Sequence, residues 1–180
     1  IYILRSTVWP GYAESLMNLL DINRIISNPE FLTEKTAERD TKFPPFILLG
    51  GRNAGFLDDV KGLYESRIKS APVIVTDNTT AEMAKLAMNG YFMTKVVYAN
   101  IVYDLCQKFH ANYEKVKEVM ESHPFGPKNH FVIYHNGGRG AGGRCLFKDS
   151  RALMYYSNSE LLNNINRINQ ELLAEYPKKP

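Results

Sequence analysis

The sequence predicts an α/β fold over residues 1–78 and an all-helical fold over 79–180, and three patterns carry that prediction. Short apolar runs at 1–6, 24–27, 45–49 and 72–75 alternate with helix-spaced segments, the order expected of a sheet with crossover helices. From residue 80 to 110 the apolar positions keep helical spacing without a break, enough for a rod of roughly 45 Å. Every apolar pattern beyond it is helical again.

Taken in order, residues 1–6 read as a strand, Pro10-Gly11 turns the chain, and 12–20 form a helix. A strand at 24–27 leads into the loop "NPEFLTEKTAERD", then come a strand at 45–49, a helix at about 56–68 and a strand at 72–75. Helical crossovers predict a largely parallel sheet, with fewer strands than a complete doubly wound domain. The long helix starts at a Thr-Thr pair, with Glu82 near its amino end as a cap. Its apolar residues form two stripes, Met83, Ala87, Met93, Val97, Ile101 and Leu105, and Phe92, Val96, Ala99, Val102 and Cys106. Such a helix is expected to be buried all round. Lys85, Lys95 and Asp104 interrupt every run long enough to cross a membrane, so a helical lobe pairing with a second copy through 80–110 is the expected setting. A charged helix at 112–122, the loop "HPFGPKNHFVIYHNGGRGAGGRC", and helices at 150–156 and 159–175 complete the order.

Composition narrows the function classes. The 180 residues hold 22 basic and 19 acidic side chains spread along the chain, so a net charge of +3 gives no basic stripe for nucleic acid or an anionic membrane. Cys106 and Cys145 do not make a disulfide framework, and a reduced, cytoplasmic setting is expected. His110, His123, His130 and His135 lack metal-ligand spacing, and no metal is expected. The opening "IYILRSTVWPG" has no basic leader and no methionine, so we expect residues upstream to be absent from this chain.

Four places are candidates for chemistry. Lys85 and Asn89, with Glu82 before them, share one helix face; they suit binding of an anion or a developing oxyanion, and they equally suit a solvated polar stripe. Cys145, between Gly142-Gly143-Arg144 and Lys148, has basic neighbours that favour a thiolate, although a buried inert thiol is the common alternative; for Cys106, inside an apolar helix, the inert reading prevails. Glu30 and Glu34 follow a strand, where open sheets carry ligand loops, and Ser6-Thr7 ends the strand before it. "GGRNAG" at 50–55 matches neither the dinucleotide fingerprint nor the P-loop, and is assigned no nucleotide.

The succession Ser6-Thr7, "NPEFLTE", "AEMAKLAMN" and "GAGGRCLFKD" resembles the nucleotide-sugar 6-dehydrogenases, the UDP-glucose and GDP-mannose dehydrogenase family, across nearly the whole chain. The resemblance implies the late strands of a Rossmann-like NAD-binding domain followed by a central helical dimerisation domain. It also implies oxidation of a sugar C6 alcohol to a carboxylate, with NAD as cofactor, for polysaccharide biosynthesis. Cys145 matches the nucleophile that forms a thiohemiacetal and then a thioester, and Lys85 and Asn89 match groups that stabilise oxyanions and hold substrate. Asp149 matches an aspartate acting through an ordered water, and Glu34 the glutamate linked to thioester hydrolysis, with Glu30 supporting it. Thr7 matches the threonine that orients water and touches cofactor, and Lys148 a residue beside the cofactor, where Glu34 and Cys145 also lie. Phe31, Leu32, Tyr134 and Gly142 fall with Glu30 among the substrate-binding positions.

The chain departs from the family at Arg144, Phe147, His135, Arg139 and Ala141, which leaves the loop shape and the sugar open. Against the family pattern the glycine fingerprint and the carboxy-terminal nucleotide domain are missing, so this chain alone is expected to be inactive. Two other readings stand beside this one. A 3-hydroxyacid dehydrogenase also carries a lysine and an asparagine four apart but needs no cysteine, and a non-catalytic dimerisation module would retain only the helix.

Overall fold

A computed structural model describes residues 1–33 and 36–176, without the side chain of Arg144. The chain divides into two compact units, 1–86 and 87 onwards, so the division falls inside the long helix.

In the first unit the order is β1 (Tyr2–Leu4), α1 (Tyr12–Leu20), β2 (Ile25–Ser27), α2 (Ala37–Lys42), β3 (Ile47–Gly50), α3 (Ala54–Arg67) and β4 (Val73–Thr76), with the sheet ordered β1-β2-β3-β4. Side chains alternate across the strands and so build a core on each face. Ile25 packs with Ala13 and Met17 of α1, while its neighbour Ile26 packs with Ile47, Leu49, Leu57 and Val60. Both central strands are buried along their whole length, as layers covered on two sides require.

The sheet is parallel between β1 and β2 and between β3 and β4, but β2 meets β3 antiparallel through the pair Ser27 and Gly50. The connection between these two strands explains the reversal. A parallel return usually runs through a full crossover helix, and the described residues of this link carry the six-residue α2 alone. The sequence reading left that segment as loop because α2 has no apolar stripe; Lys42 and Glu38 bridge one turn of it.

Helix α4 (Asn78–Lys108) begins earlier than its Thr-Thr pair suggests. Asp77 is the capping residue: its carboxylate accepts from the Thr80 backbone N–H at 2.8 Å and the Thr80 hydroxyl at 2.6 Å, and these bonds hold it below the usual carboxylate range. Glu82, expected as the cap, has a different task. It is 3% exposed and accepts from the backbone N–H groups of Gly11 and Ala13 at 2.7 and 2.9 Å and from the Ser27 hydroxyl at 3.2 Å. A carboxylate at the amino end of α1 meets that helix's orphan donors and positive dipole end, so Glu82 fastens α4 to α1 and β2 together. Replacing Glu82 with Ala strands those donors and should lower stability by about 3 kcal/mol, against about half that for Gln, in urea unfolding.

The second unit holds the rest of α4 with α5 (Tyr113–Ser122), α6 (Arg144–Ser157) and α7 (Glu160–Glu175). Met93, Val97, Ala141 and Ile165 form one core, and Ala99, Cys106, Tyr113, Phe131 and Ile133 another. Expected burial of α4 on all sides does not hold within this chain: Met83, Tyr91, Tyr98, Ile101 and Leu105 are all exposed. Helix α6 starts six residues before the expected 150, directly after the last glycine of its loop, and therefore includes Cys145, Lys148 and Asp149.

His130 lies on Phe92 with ring centroids 4.6 Å apart, and burial together with the Lys95 ammonium holds its imidazole below the ordinary 6.5. The unfolded chain therefore takes up this proton more readily than the folded one, and the linked stability is intact above 6.5 and lost as pH falls from there through the lower folded value. Melting temperatures measured from about pH 7.5 down to about pH 5 should fall for the native chain and fall less for His130→Gln.

Candidate active site

The residues singled out by sequence fall into two groups, each inside one unit. In the first unit, Thr7, Ser27, Pro29, Glu82 and Lys85 line a narrow cleft of about 10 Å³ at the ends of β1 and β2. Lys85 is 8% exposed, and its ammonium lies over the Phe31 ring, 5.1 Å from the centroid. A wider pocket of about 120 Å³ is lined by Glu30, Phe31 and Leu32 with Arg5, Asp40 and Tyr64. Glu30 pairs there with Arg5 at 3.0 Å, and Phe31 leans on Phe46 with centroids 4.9 Å apart. The loop is anchored at Asn28, which donates to the Leu48 carbonyl at 2.9 Å and accepts from the Tyr64 hydroxyl. Glu34 lies outside the described residues.

In the second unit, Cys145 is exposed on the first turn of α6, after the N-cap Gly143. Asp149 lies one turn further along the same helix face, 1% exposed. One of its oxygens accepts from the Asn89 amide at 2.5 Å and the other pairs with Lys148 at 2.8 Å, so helices α4 and α6 are joined through the side chain next to the thiol's own row. Lys148 remains 62% exposed. Gly142 is exposed at the mouth of the loop. Tyr134 stands edge-on to Tyr103, with ring centroids 6.0 Å apart. Cys106 is buried in the apolar core, as its helix position implied.

The polar stripe at the start of α4 is not solvated. Asn78, Glu82, Lys85 and Asn89 recur every three or four residues on one face, and all four are buried. Asn78 accepts from the Ser27 N–H at 3.0 Å and donates to Glu14 at 3.1 Å, and with Glu82 it makes the upper half of the stripe a set of satisfied bonds. Lys85 and Asn89 are the lower half.

Sequence reasoning missed residues that shape this region. At Gly90 an added Cβ would stand 2.6 Å from the end of the Leu153 side chain, so the glycine gives that α6 side chain its seat beside Asn89; a glycine inside a helical pattern was the available signal. Asn169 of α7, fully buried, accepts from the Ala141 N–H at 2.7 Å and donates to the Ala141 carbonyl at 3.1 Å. It holds the glycine loop like a strand partner, and nothing local in the sequence marks it.

Among the described residues no group of three or more His, Cys, Asp or Glu side chains is arranged to hold a metal ion, and no helix is long and apolar enough to cross a membrane.

Comparison with known proteins supplies the family. Residues 79–171 match the model of the UDP-glucose/GDP-mannose dehydrogenase family, central domain. A UDP-glucose 6-dehydrogenase of Rickettsia bellii (strain RML369-C) is 29% identical over 181 residues, covering 95% of this chain and 41% of that protein. A GDP-mannose 6-dehydrogenase of Pseudomonas savastanoi pv. phaseolicola is 32% identical over 182 residues, with 93% and 41% covered. Among solved structures, a UDP-glucose dehydrogenase from Pyrobaculum islandicum superposes with a TM-score of 0.81 at 25% identity, covering 94% of this chain and 40% of that one. The chain thus spans about two fifths of the length of these relatives. With just over half of its residues matched by the central-domain model and the same motif order on the same fold, the chain belongs to the UDP-glucose/GDP-mannose dehydrogenase family.

Proposed function

We propose that this chain carries the covalent chemistry of an NAD-dependent nucleotide-sugar 6-dehydrogenase, oxidising a sugar C6 alcohol to a carboxylate. The observation that supports it best is the exposed Cys145 thiol in line with a buried Asp149 whose carboxylate takes the amide of Asn89. A structural cysteine has no use for such a neighbourhood, whereas a nucleophile needs access and a fixed polar partner.

The alcohol loses a proton and a hydride to give the aldehyde. The Cys145 sulfur then adds to the carbonyl carbon, and the oxygen takes a proton to complete the thiohemiacetal. Loss of a second hydride and that hydroxyl proton leaves a thioester. Water attacks the thioester carbon, the C–S bond breaks, and acid and free thiol result. The tether keeps the aldehyde stage from escaping. Lys85 and Asn89 face the negative charge that builds on the C6 oxygen at each stage. Asp149 holds a water through the same turn of helix, and Glu34 assists hydrolysis with Thr7 and Glu30. Phe31 and Leu32 of the "NPEFL" loop, Gly142 and Tyr134 bind the sugar nucleotide, Tyr134 on its phosphates.

Thr7, with a half-buried hydroxyl beyond β1, and Lys148, with an exposed ammonium suited to an anionic group, would with Glu34 and Cys145 hold NAD, two molecules of which in succession would accept the two hydrides.

The exposed face of α4 supports a homodimer. Tyr91, Tyr98 and Leu105 recur at seven-residue intervals, with Ile101 between the last two, the spacing of a coiled-coil seam. Sedimentation should give a dimer for the native chain and a monomer for Tyr98→Glu with Leu105→Glu; a monomeric native chain rejects the seam.

Activity is decided in the full-length gene product, by following NAD reduction and acid formation with UDP-glucose, GDP-mannose and UDP-N-acetyl sugars. Cys145→Ala should abolish acid production, and Asn89→Ala should lower kcat by about a hundredfold, in the range for loss of one oxyanion donor. Acid formed at native rates by Cys145→Ala would sink the covalent route.

A further inference from the structure

The glycine loop contains a buried cation that the chemistry above does not use. Arg139 is 3% exposed. Its Nε donates to Asn100 Oδ1 at 2.8 Å, one terminal nitrogen donates to the Asn100 carbonyl at 3.3 Å, and the same nitrogen pairs with Asp104 at 2.7 Å. Both acceptor residues belong to α4. Two aromatic rings close on the guanidinium, Tyr103 at 5.1 Å and Tyr176 at 4.8 Å from their centroids. The Arg139 backbone N–H donates to the Tyr176 carbonyl at 3.2 Å.

Short links run from this anchor in both directions. Towards the amino end, Asn136 and Gly137 have φ of 54° and 77°, the pair of left-handed residues of a type I′ turn. His135 and Gly138 bond across it through both backbone pairs, at 2.9 and 3.3 Å, which ties Tyr134 to Arg139. Tyr134 also stands edge-on to Tyr103, one of the rings on the guanidinium, with ring centroids 6.0 Å apart. Towards the carboxy end, Gly140 at φ 76° turns the chain beneath Asn169, which grips Ala141, and Gly143 then opens the helix that begins with Arg144 and Cys145. The Arg139 side chain thus reaches α4, the residue after α7 and the Tyr103 ring at once.

A buried cation is retained only where its donors are matched, and the guanidinium fork meets two oxygens of Asn100 and the Asp104 carboxylate through two of its nitrogens, which a single ammonium nitrogen does not reproduce. We infer that Arg139 is a positioning residue: its bonds to Asn100 and Asp104 set the glycine loop on α4 and thereby the placement of Tyr134 and Cys145. That those two side chains are the ones worth placing rests on the function proposed above; that Arg139 places them does not.

The test uses the native chain with Arg139→Lys, which retains charge but loses the fork, and Arg139→Ala, each checked for folding by far-UV circular dichroism. Amide exchange at Arg139 and Ala141 should speed up by about tenfold in both variants, with α7 amides unchanged, because the loop then opens locally rather than by global unfolding. Site-mapped alkylation of Cys145 by iodoacetamide should change by about threefold or more in the same variants. Guanidinium chloride at about 10 mM, filling the vacated slot, should bring Arg139→Ala back towards native exchange, and sodium chloride should not. Loop exchange and Cys145 alkylation both within about twofold of native in folded Arg139→Lys would overturn the inference, as would equal rescue by the two salts. If Arg139→Ala does not fold, Arg139→Lys decides alone. No readout uses substrate or cofactor, so the result is separate from the acid-formation assay.

Discussion

The bond between Asn89 and Asp149 governs what the helical unit can do. A carboxylate with 1% of its surface in water must find donors, and here it finds an amide from α4 and an ammonium from its own helix. Satisfying it fixes the first two turns of α6 against α4. The approach this demands is close, and Gly90 next to Asn89 supplies the room for Leu153. Once that contact is set, Cys145 has no choice of face, because it precedes Asp149 by one helical turn. The thiol therefore shares the carboxylate's face and is exposed at the helix's first turn.

Helix α4 meets three environments along its length, and the residues change accordingly. Its first turns present Asn78, Glu82, Lys85 and Asn89 to buried polar partners. Its middle presents Met93, Val97 and Ala99 to apolar cores. A third line, Tyr91, Tyr98, Ile101 and Leu105, is exposed along the helix. A helix so divided is costly to alter anywhere, since a shift of one residue in register rotates each stripe by about 100° away from its own partners. Asp77 caps the helix, Glu82 ties it to α1 and Arg139 ties it to the glycine loop.

Much of this was legible in the sequence, and the parts that were not share a cause. Apolar runs marked all four strands: β2 and β3, buried along their whole length, must be largely apolar, whereas β1 and β4 are apolar yet partly exposed. The candidate site residues were picked out by residue type and order: a cysteine after glycines, a lysine and an asparagine one turn apart. What escaped depends on partners far along the chain. Glu82 looks like a helix cap until Gly11 and Ala13, some seventy residues earlier, offer their N–H groups. The stripe at 78–89 reads as solvated for the same reason, since a polar face turned to water and one turned to buried donors have the same spacing. The antiparallel junction of β2 and β3 escaped because it follows from a weak helix, α2, with no apolar face to announce it. Local pattern decides element type; distant polar pairing decides which faces are inside.

That distinction bears on the glycine loop. Its backbone carries left-handed residues at Asn136, Gly137 and Gly140, conformations that stabilise a turn without fixing where the turn sits. A loop of this kind has few apolar side chains of its own, so packing alone cannot hold it in one place. The structure uses polar anchors instead: Asn169 grips the backbone at Ala141, and Arg139 reaches α4 through Asn100 and Asp104. Polar anchors are directional in a way apolar contacts are not, since a hydrogen bond weakens steeply as its angle closes. On the proposed chemistry, a nucleophile that must meet one carbon at successive oxidation states needs placement more than it needs binding strength. Glycines that let the main chain approach a ligand, and buried polar side chains that stop the same main chain from wandering, are therefore two halves of one solution.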